Sequence, residues 1–445
     1  MTRYKYNPID LGGPAFRLLL LLKGNPTYKL QCELFEAWIH RSENNIPYEA
    51  LSYTWESTAT TSEITINGCT MGVTRNLHLA LQNLHYKDMD RILWVDAVCI
   101  NQEDKKVQGH QVKYMGKAYK AAEQVVVWIG PATVETDFVM NAMKRLQEMI
   151  MRVEGDWRRS AELWMNGLDS GGADVRRTQG DGLRQLLDRP WFRRIWVIQE
   201  IASARVATIV YGKRSISARV FALMPSILHV EPDSHCEAVL DVMPGPSRKE
   251  SWWASKRDLH TLLLQFRASK ATDPRDMIYA LLGISTNASN SEVLDADYHK
   301  NEYEVVRVTI TFLLDSKNVE SASFDFVRWT VAKFLQNLHR LGSSILEAIL
   351  EQDAIQGYEH IVKLLLDKGA NVNMQGWYYG DALCAASAGG YEQIVKLLLD
   401  KGANVNMQGG YYGNALEAAS SRGYGSIVQL LIDNGADVMA IYLWD

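Results

Sequence analysis

A block of twenty residues is written twice near the end of the chain, 33 positions apart. Residues 357–376 read GYEHIVKLLLDKGANVNMQG, and residues 390–409 differ from them only in carrying Gln393 where the first copy has His360. A looser third copy, GYGSIVQLLIDNGADVMA, begins at Gly423, again 33 residues on. Leu350, Leu383 and Leu416 keep the same spacing and point to a degenerate copy ahead of the first clear one. A fixed period of this length restricts the tail to a stack of small helical units, each burying its apolar face only against its neighbours. The spacing predicts Ile361, Leu364 and Leu365, and Ile394, Leu397 and Leu398, buried between layers.

The apolar IVxLLL helix followed by a Gly-Ala-Asn/Asp-Val turn resembles the ankyrin repeat. That resemblance implies a surface that binds a protein partner, with the chemistry or signalling upstream. Trp377, Tyr378, Tyr379, Tyr411 and Tyr412 fall in the loops between repeats, where exposed aromatics bind partners. The alternative is that the tyrosines pack on the next repeat.

A chain of 445 residues is too long for one core, and its 47% hydrophobic and 22% charged residues are those of a globular protein. The net charge of −5 argues against binding driven by nucleic-acid phosphates. The N-terminal apolar run Leu18–Leu22 is too short for a membrane span or a signal-peptide core and reads as a buried strand. Five scattered cysteines without a CxxC or Cys/His cluster support neither a disulfide framework nor a zinc site. A cytoplasmic setting is the simplest reading, with no metal and no resident cofactor. There is no GxxxxGK[ST] or GxGxxG loop.

Upstream, the pattern alternates. Residues 15–40 suggest two strands around Gly24-Asn25-Pro26. YEALSYTW (48–55) reads as a strand, and residues 63–73 as a hairpin turning at Asn67-Gly68. RNLHLALQNLHY (75–86) puts Leu77, Leu81 and Leu84 on one helical face. ILWVDAVCI (92–100) and QVVVWIG (124–130) are uniformly apolar, as expected of adjacent central strands buried on both faces, with a helix at 108–122 between them. Residues 135–188 read as helical and charged. A helix then starts at Pro190 and runs through RRIWVIQEIASA, and VATIVYG follows as a strand. Residues 229–257 read as a loop, 258–268 and 275–283 as helices, 286–296 as a polar connection, and 301–314 and 322–351 as helical. The order implies an α/β domain with a mostly parallel sheet, then an all-α repeat array. The chain divides into 15–215, a helical extension 216–315, a helical linker 316–346 and repeats at 347–440.

Three motifs, YEALSYTW (48–55), ILWVDAVCINQED (92–104) and RPWFRRIWVIQE (189–200), together with QVKYMGKAYKAAEQVVVWIG (111–130), resemble the HET domain of fungal heterokaryon-incompatibility proteins. ATDPRDMIYALLGIS (271–285) resembles a stretch that often follows it. The resemblance implies an effector that triggers programmed cell death, by self-association or by recruiting partners, joined to a repeat array that senses a protein. The HET domain in turn is similar to TIR domains, some of which cleave NAD with a helical glutamate in a pattern like S-x-W-C-x-x-E. On that likeness Glu200 is the candidate catalytic residue, with NAD as substrate.

Each candidate has a second reading. Glu200 follows Trp196, Val197 and Ile198, where an unpaired carboxylate is costly to bury; it either acts on a ligand or pairs with Arg193, Arg194 or Arg205. Asp96, Asn101 and Gln102 lie where α/β sheets bind ligands, beyond the carboxyl ends of strands; alternatively they cap backbone groups. Trp55 either floors a pocket or belongs to the core. Cys99 reads as a small core residue.

Overall fold

The computed structural model describes residues 2–24, 29–39, 46–55, 60–152, 172–289, 291, 294–313, 329–338, 350–351, 354–367, 370–375 and 379–438. The chain divides into two units, Met1–His299 and Lys300–Asp445.

The first unit is built on one nine-stranded sheet. Its strands are β1 (Ala15–Leu21), β2 (Gln31–Trp38), β3 (Glu49–Ser52), β4 (Ser62–Ile66), β5 (Cys69–Val73), β6 (Arg91–Trp94), β7 (Gln124–Trp128), β8 (Ala207–Tyr211) and β9 (Arg214–Ser217). They lie in the order β5-β4-β2-β1-β6-β3-β7-β8-β9. The sheet is mixed rather than mostly parallel. β2–β4, β3–β6, β3–β7 and β7–β8 are parallel, whereas β1–β2, β1–β6, β4–β5 and β8–β9 are antiparallel. Of the antiparallel pairs, β1–β2, β4–β5 and β8–β9 follow from short connections, whereas β1–β6 joins strands distant in the chain. β1 and β2 form the expected pair, and β4 and β5 turn at Asn67-Gly68, both with positive φ (49° and 77°), as a tight two-residue hairpin requires.

The parallel centre places the site. Val125, Val126 and Val127 of β7 are buried and pair with Ala50, Leu51 and Ser52 of β3. β3 also pairs in parallel with β6, Glu49 opposite Leu93 and Ala50 opposite Trp94. The two strands therefore end side by side, and Trp55 and Asp96 follow those ends.

Two expectations fail here. β6 and β7 are not neighbours; β3 separates them. Residues 92–100 are also not one strand. β6 stops at Trp94, and Asp96–Cys99 form a single helical turn, α2 when Arg75–Leu84 is α1. Asp96 Oδ1 accepts from the Ala97 N–H at 2.7 Å, and the Cys99 N–H returns to the Val95 carbonyl at 2.7 Å. Val95, Val98 and Cys99 are fully buried, so the turn keeps the run as apolar as a strand would, and periodicity cannot separate the two.

The remaining helices of this unit include α3 (Lys105–Ala121), α4 (Val134–Arg152), α5 (Gly172–Leu187) and α6 (Trp196–Ser203). The single helix expected from Pro190 is broken. A 3-10 turn spans Pro190–Arg193, and Arg194 is extended (φ −77°, ψ 128°) before α6 begins. Residues 229–257, expected as a loop, hold short helices at Ser234–Val242, Pro246–Glu250 and Trp252–Ser255. Asp233 caps the first through the His235 and Cys236 N–H groups, and Pro246 opens the second. The polar composition marks caps, not disorder. Helices at Leu259–Phe266 and Asp276–Leu282 match expectation.

In the second unit, helices Glu302–Leu313 and Val331–Asn337 precede the repeats; most of residues 316–346 lie outside the described residues. The repeats are helix pairs, clearest as Ala382–Gly389 with Glu392–Asp400 and Ala415–Ser421 with Gly425–Asp433. Leu350, Leu383 and Leu416 are all buried, as their spacing predicts. Asp381 and Asn414, also 33 apart, cap equivalent helices. Gly357, Gly390 and Gly423 have φ of 81°, 79° and 77°; a Cβ at Gly390 would lie 2.7 Å from the Tyr424 ring, so only glycine fits that turn. Leu365, Ile394 and Leu398 are buried, but Leu397 is only half-buried, Val395 taking the interior place instead. The Ile361 and Leu364 side chains lie outside the described residues.

Candidate functional site

Arg194 links the three motifs. Its extended backbone lets the side chain reach back under the sheet ends. The guanidinium donates to the Tyr53 carbonyl at 2.7 Å, to Asp96 Oδ2 at 3.3 Å and to Glu200 Oε1 at 3.4 Å. It also lies 5.8 Å from the centre of the Trp55 ring, and Trp55 Nε1 donates to Asp96 Oδ2 at 3.2 Å. One cation thus holds two carboxylates and faces an indole.

Glu200 is fully buried on α6. Burial pushes its carboxyl up, Arg194 pulls it down, and the Asp96 charge pushes it up again; the result is about 7 against an ordinary 4.5. The Ser52 and Tyr119 hydroxyls act in the same direction as Arg194. The Tyr53 hydroxyl is buried, and burial, then the Asp96 charge and a hydrogen bond to Asp96, push its pKa well above the ordinary value. Burial acts against the Arg194 charge, but Glu200 and Asp96 outweigh it and raise its pKa. A carboxyl that titrates near neutrality can hold or release a proton under ordinary conditions.

Hydrogen bonds frame this cluster. Trp191 Nε1 donates to Ser52 Oγ at 2.8 Å, and the Tyr119 hydroxyl donates to the Leu51 carbonyl at 3.1 Å. At the start of α6, Trp196 Nε1 donates to Asp276 Oδ2 at 3.0 Å, and the Tyr298 hydroxyl to Asp276 Oδ1 at 2.7 Å. Arg248 fixes the C-terminal end of α6 through the Ile201 and Ala204 carbonyls.

Of the residues singled out in the sequence, Glu200, Asp96 and Trp55 come together. Gln102 joins only through its Nε2, which donates to the Asp96 carbonyl at 3.2 Å. Asn101 turns away and accepts from the Glu103 N–H at 3.2 Å; Asp104 caps α3. Arg194 is the centre of the cluster, although sequence reasoning weighed it only as one of three ion-pair partners for Glu200. Tyr53 and Asp276 were passed over. The signal for Asp276 lies in ATDPRDMIYALLGIS, which resembles the stretch that often follows the HET domain but in which no residue stands out as a site candidate.

In the repeats, Tyr411 is 71% exposed. Tyr379 and Tyr412, 33 apart, stack with ring centres 6.3 Å apart, and Arg422 donates to the Tyr412 hydroxyl at 2.7 Å and 2.9 Å. Tyr411 meets Tyr412 edge-on at 5.0 Å. Trp377 and Tyr378 lie outside the described residues. Among the described residues, no group of three or more His, Cys, Asp or Glu side chains is placed to hold a metal ion, and no helix is long and apolar enough to cross a membrane.

Comparison with known proteins matches two stretches of the chain to families. Residues 48–200, which run from β3 to Glu200, match the model of the heterokaryon incompatibility protein (HET) family. Residues 348–441 match ankyrin repeats in three copies. The chain is similar to Heterokaryon incompatibility protein 6, OR allele, of Neurospora crassa, with 24% identity over an alignment 340 residues long that covers 64% of this chain. It spans about half the length of that curated relative. The chain thus carries a heterokaryon-incompatibility domain, bounded by the strand and the helix that build the Arg194 cluster, together with an ankyrin array.

Proposed function

We propose that the chain is a heterokaryon-incompatibility-type signalling protein of the cytoplasm, in which the HET unit triggers programmed cell death and the ankyrin array recognises a protein partner. The effector unit is residues 15–215 with its extension 216–315, and it acts by self-association or by recruiting partners. The observation that carries this reading is the pairing of a HET domain with a repeat array whose loops present the exposed Tyr411 beside the Tyr379–Tyr412 stack. Exposed aromatics at repeat tips are typical anchors for a protein partner. Expression of residues 1–299 in a filamentous fungus is expected to impair growth. Growth equal to an empty-vector control at matched protein level would instead favour an ankyrin adaptor with an inactive HET domain.

A second reading is a TIR-like NAD glycohydrolase, favoured by the fully buried Glu200 carboxyl and its pKa near 7. In such a reaction the bond between ribose and nicotinamide breaks, positive charge develops on the ribose, and water completes hydrolysis. A carboxylate beside that charge stabilises it. Glu200 would do so once the ribose hydroxyls replace its contact with Arg194, with Asp96 and Trp55 lining the cleft. Glu200→Gln is expected to abolish nicotinamide release by the purified, assembled protein while leaving it folded. No release from the wild-type protein would remove the enzyme reading and leave association.

A further inference from the structure

The segment ahead of β1 runs as an extended arm across two sites on the sheet. At the sheet edge, the Tyr4 N–H donates to the Thr70 carbonyl of β5 and the Thr70 N–H to the Thr2 carbonyl, both at 2.9 Å. This is a parallel bridge between Arg3 and Thr70. Thr2 Oγ1 lies 3.5 Å from Cys69 Sγ. Further along, the Tyr6 hydroxyl donates to the Val98 carbonyl at 2.9 Å and approaches that of Ile100 at 3.4 Å. Tyr6 is covered by the Arg17 guanidinium, 5.1 Å from its ring centre. Arg17 also holds the Asn7 carbonyl at 2.7 Å and the Cys99 carbonyl at 3.2 Å.

The arm is seated but scarcely buried. Thr2, Arg3 and Lys5 are exposed and Tyr4 and Tyr6 only half-buried, so its hold is mainly hydrogen bonds at a sheet edge. Beside it, Arg3, Lys29, Glu63, Thr70 and Gly72 line a groove of about 430 Å³. The first firm apolar anchor is Ile9, packed with Ala15 and Val107. Between arm and anchor stand Asn7 and Pro8. A short element held by an edge and joined by so brief a connection can seat in a second copy with every contact preserved, which is how identical chains exchange elements.

We propose that the arm Thr2–Tyr6 is exchanged between two copies of the chain, each arm seating on the other copy's β5 edge. The inference rests on the self-association reading above and gives it a surface. A second copy is the occupant because the seat is shaped by this arm's own residues: Cys69 meets Thr2, and the Val98 and Ile100 carbonyls receive Tyr6. Those carbonyls follow Asp96 directly, so the partner's Tyr6 would brace the turn that carries one carboxylate of the site.

The test uses the close approach of Thr2 and Cys69. In the full chain carrying Thr2→Cys, mild oxidation with oxidised glutathione joins residue 2 to Cys69 wherever the arm is seated. Non-reducing electrophoresis then separates an internal bond from a bond between copies. The proposal expects a covalent dimer whose share rises with protein concentration and is lost in T2C/C69S. It also expects a large loss of dimer in T2C/Y4P, which lacks the N–H given to Thr70. An internal bond alone at every concentration overturns the exchange. Light scattering of the wild-type chain keeps the two readings apart: a self-associating chain with only the internal bond uses another surface, whereas a chain that stays monomeric overturns self-association as well. Absence of any bond from residue 2 to Cys69 overturns the seating itself.

Discussion

The two units hold themselves together over different distances along the chain. In the HET unit, Arg194 joins Tyr53, 141 positions away, and Asp96, 98 positions away. In the repeats, Asn373 donates to the Gly402 carbonyl and Asn406 to that of Gly435, each 29 positions on. The Asn404 and Asp437 N–H groups return to Asn373 and Asn406, each 31 back. A long-range hub concentrates stability in one side chain, whereas a ladder of near neighbours spreads it. The first arrangement suits a site that must keep its geometry, and the second suits a surface that can vary unit by unit.

The sharpest way to break this contrast is Arg194→Met. It leaves Asp96 and the fully buried Glu200 without their shared cation. Loss of one partner from a buried ion pair costs about 3–5 kcal/mol. Denaturant unfolding of residues 1–299 is expected to show that loss; a loss below about 1 kcal/mol would mean that Arg194 is not a hub.

Leu398→Asp is the matching change in the repeats. Leu398 has no exposed surface, and an unpaired carboxylate there should cost about 3 kcal/mol. The effect should stay local. Hydrogen exchange is expected to rise across 382–438 while the HET unit keeps its protection. The half-buried Leu397→Asp should cost clearly less.

These two regions were also unequally legible in the sequence. The repeats were readable because Gly357, Gly390 and Gly423 recur at one spacing with one conformation. The hairpin at Asn67-Gly68 and the strands β1, β3 and β7 were readable from turn chemistry and apolar runs. The break at Val95 was not, because a buried turn and a buried strand show the same apolar residues. The mixed sheet escaped for a related reason: strand existence is local, but direction depends on which distant strand pairs, as β1 does with β6. In the site, Glu200, Asp96 and Trp55 stood out as polar or aromatic residues in apolar motifs. Arg194 did not stand out beside Arg193, since only the extended backbone at 194 turns one inward. Arg193 instead pairs with Asp233.

A smaller effect sharpens the electrostatics. Glu200 has a folded pKa of about 7, above its ordinary 4.5. Between those values the folded state holds more protons than the unfolded one, so this group's contribution to stability falls as pH rises through the window. Glu200→Gln should flatten that slope, a difference on the order of 1–3 kcal/mol between pH about 4.5 and about 7. Unfolding titrations at several pH values measure it; equal slopes in both proteins would mean that Glu200 is ionised throughout.

The smallest effect belongs to the ladder. Asn406→Ala removes the bond to the Gly435 carbonyl and the acceptor for the Asp437 N–H, both exposed, and should cost about 1 kcal/mol. Thermal unfolding of residues 300–445 checks this, and an unchanged midpoint would show that the ladder is ornamental.

The division of labour itself is tested most directly by hyphal growth in a strain expressing the full chain with Leu398→Asp beside one expressing the wild-type chain. The account predicts that the variant, its array disrupted and its HET unit intact, still impairs growth and no longer depends on a partner. Growth restored to the empty-vector level at equal protein abundance would contradict it, because the array would then be part of the output rather than its sensor.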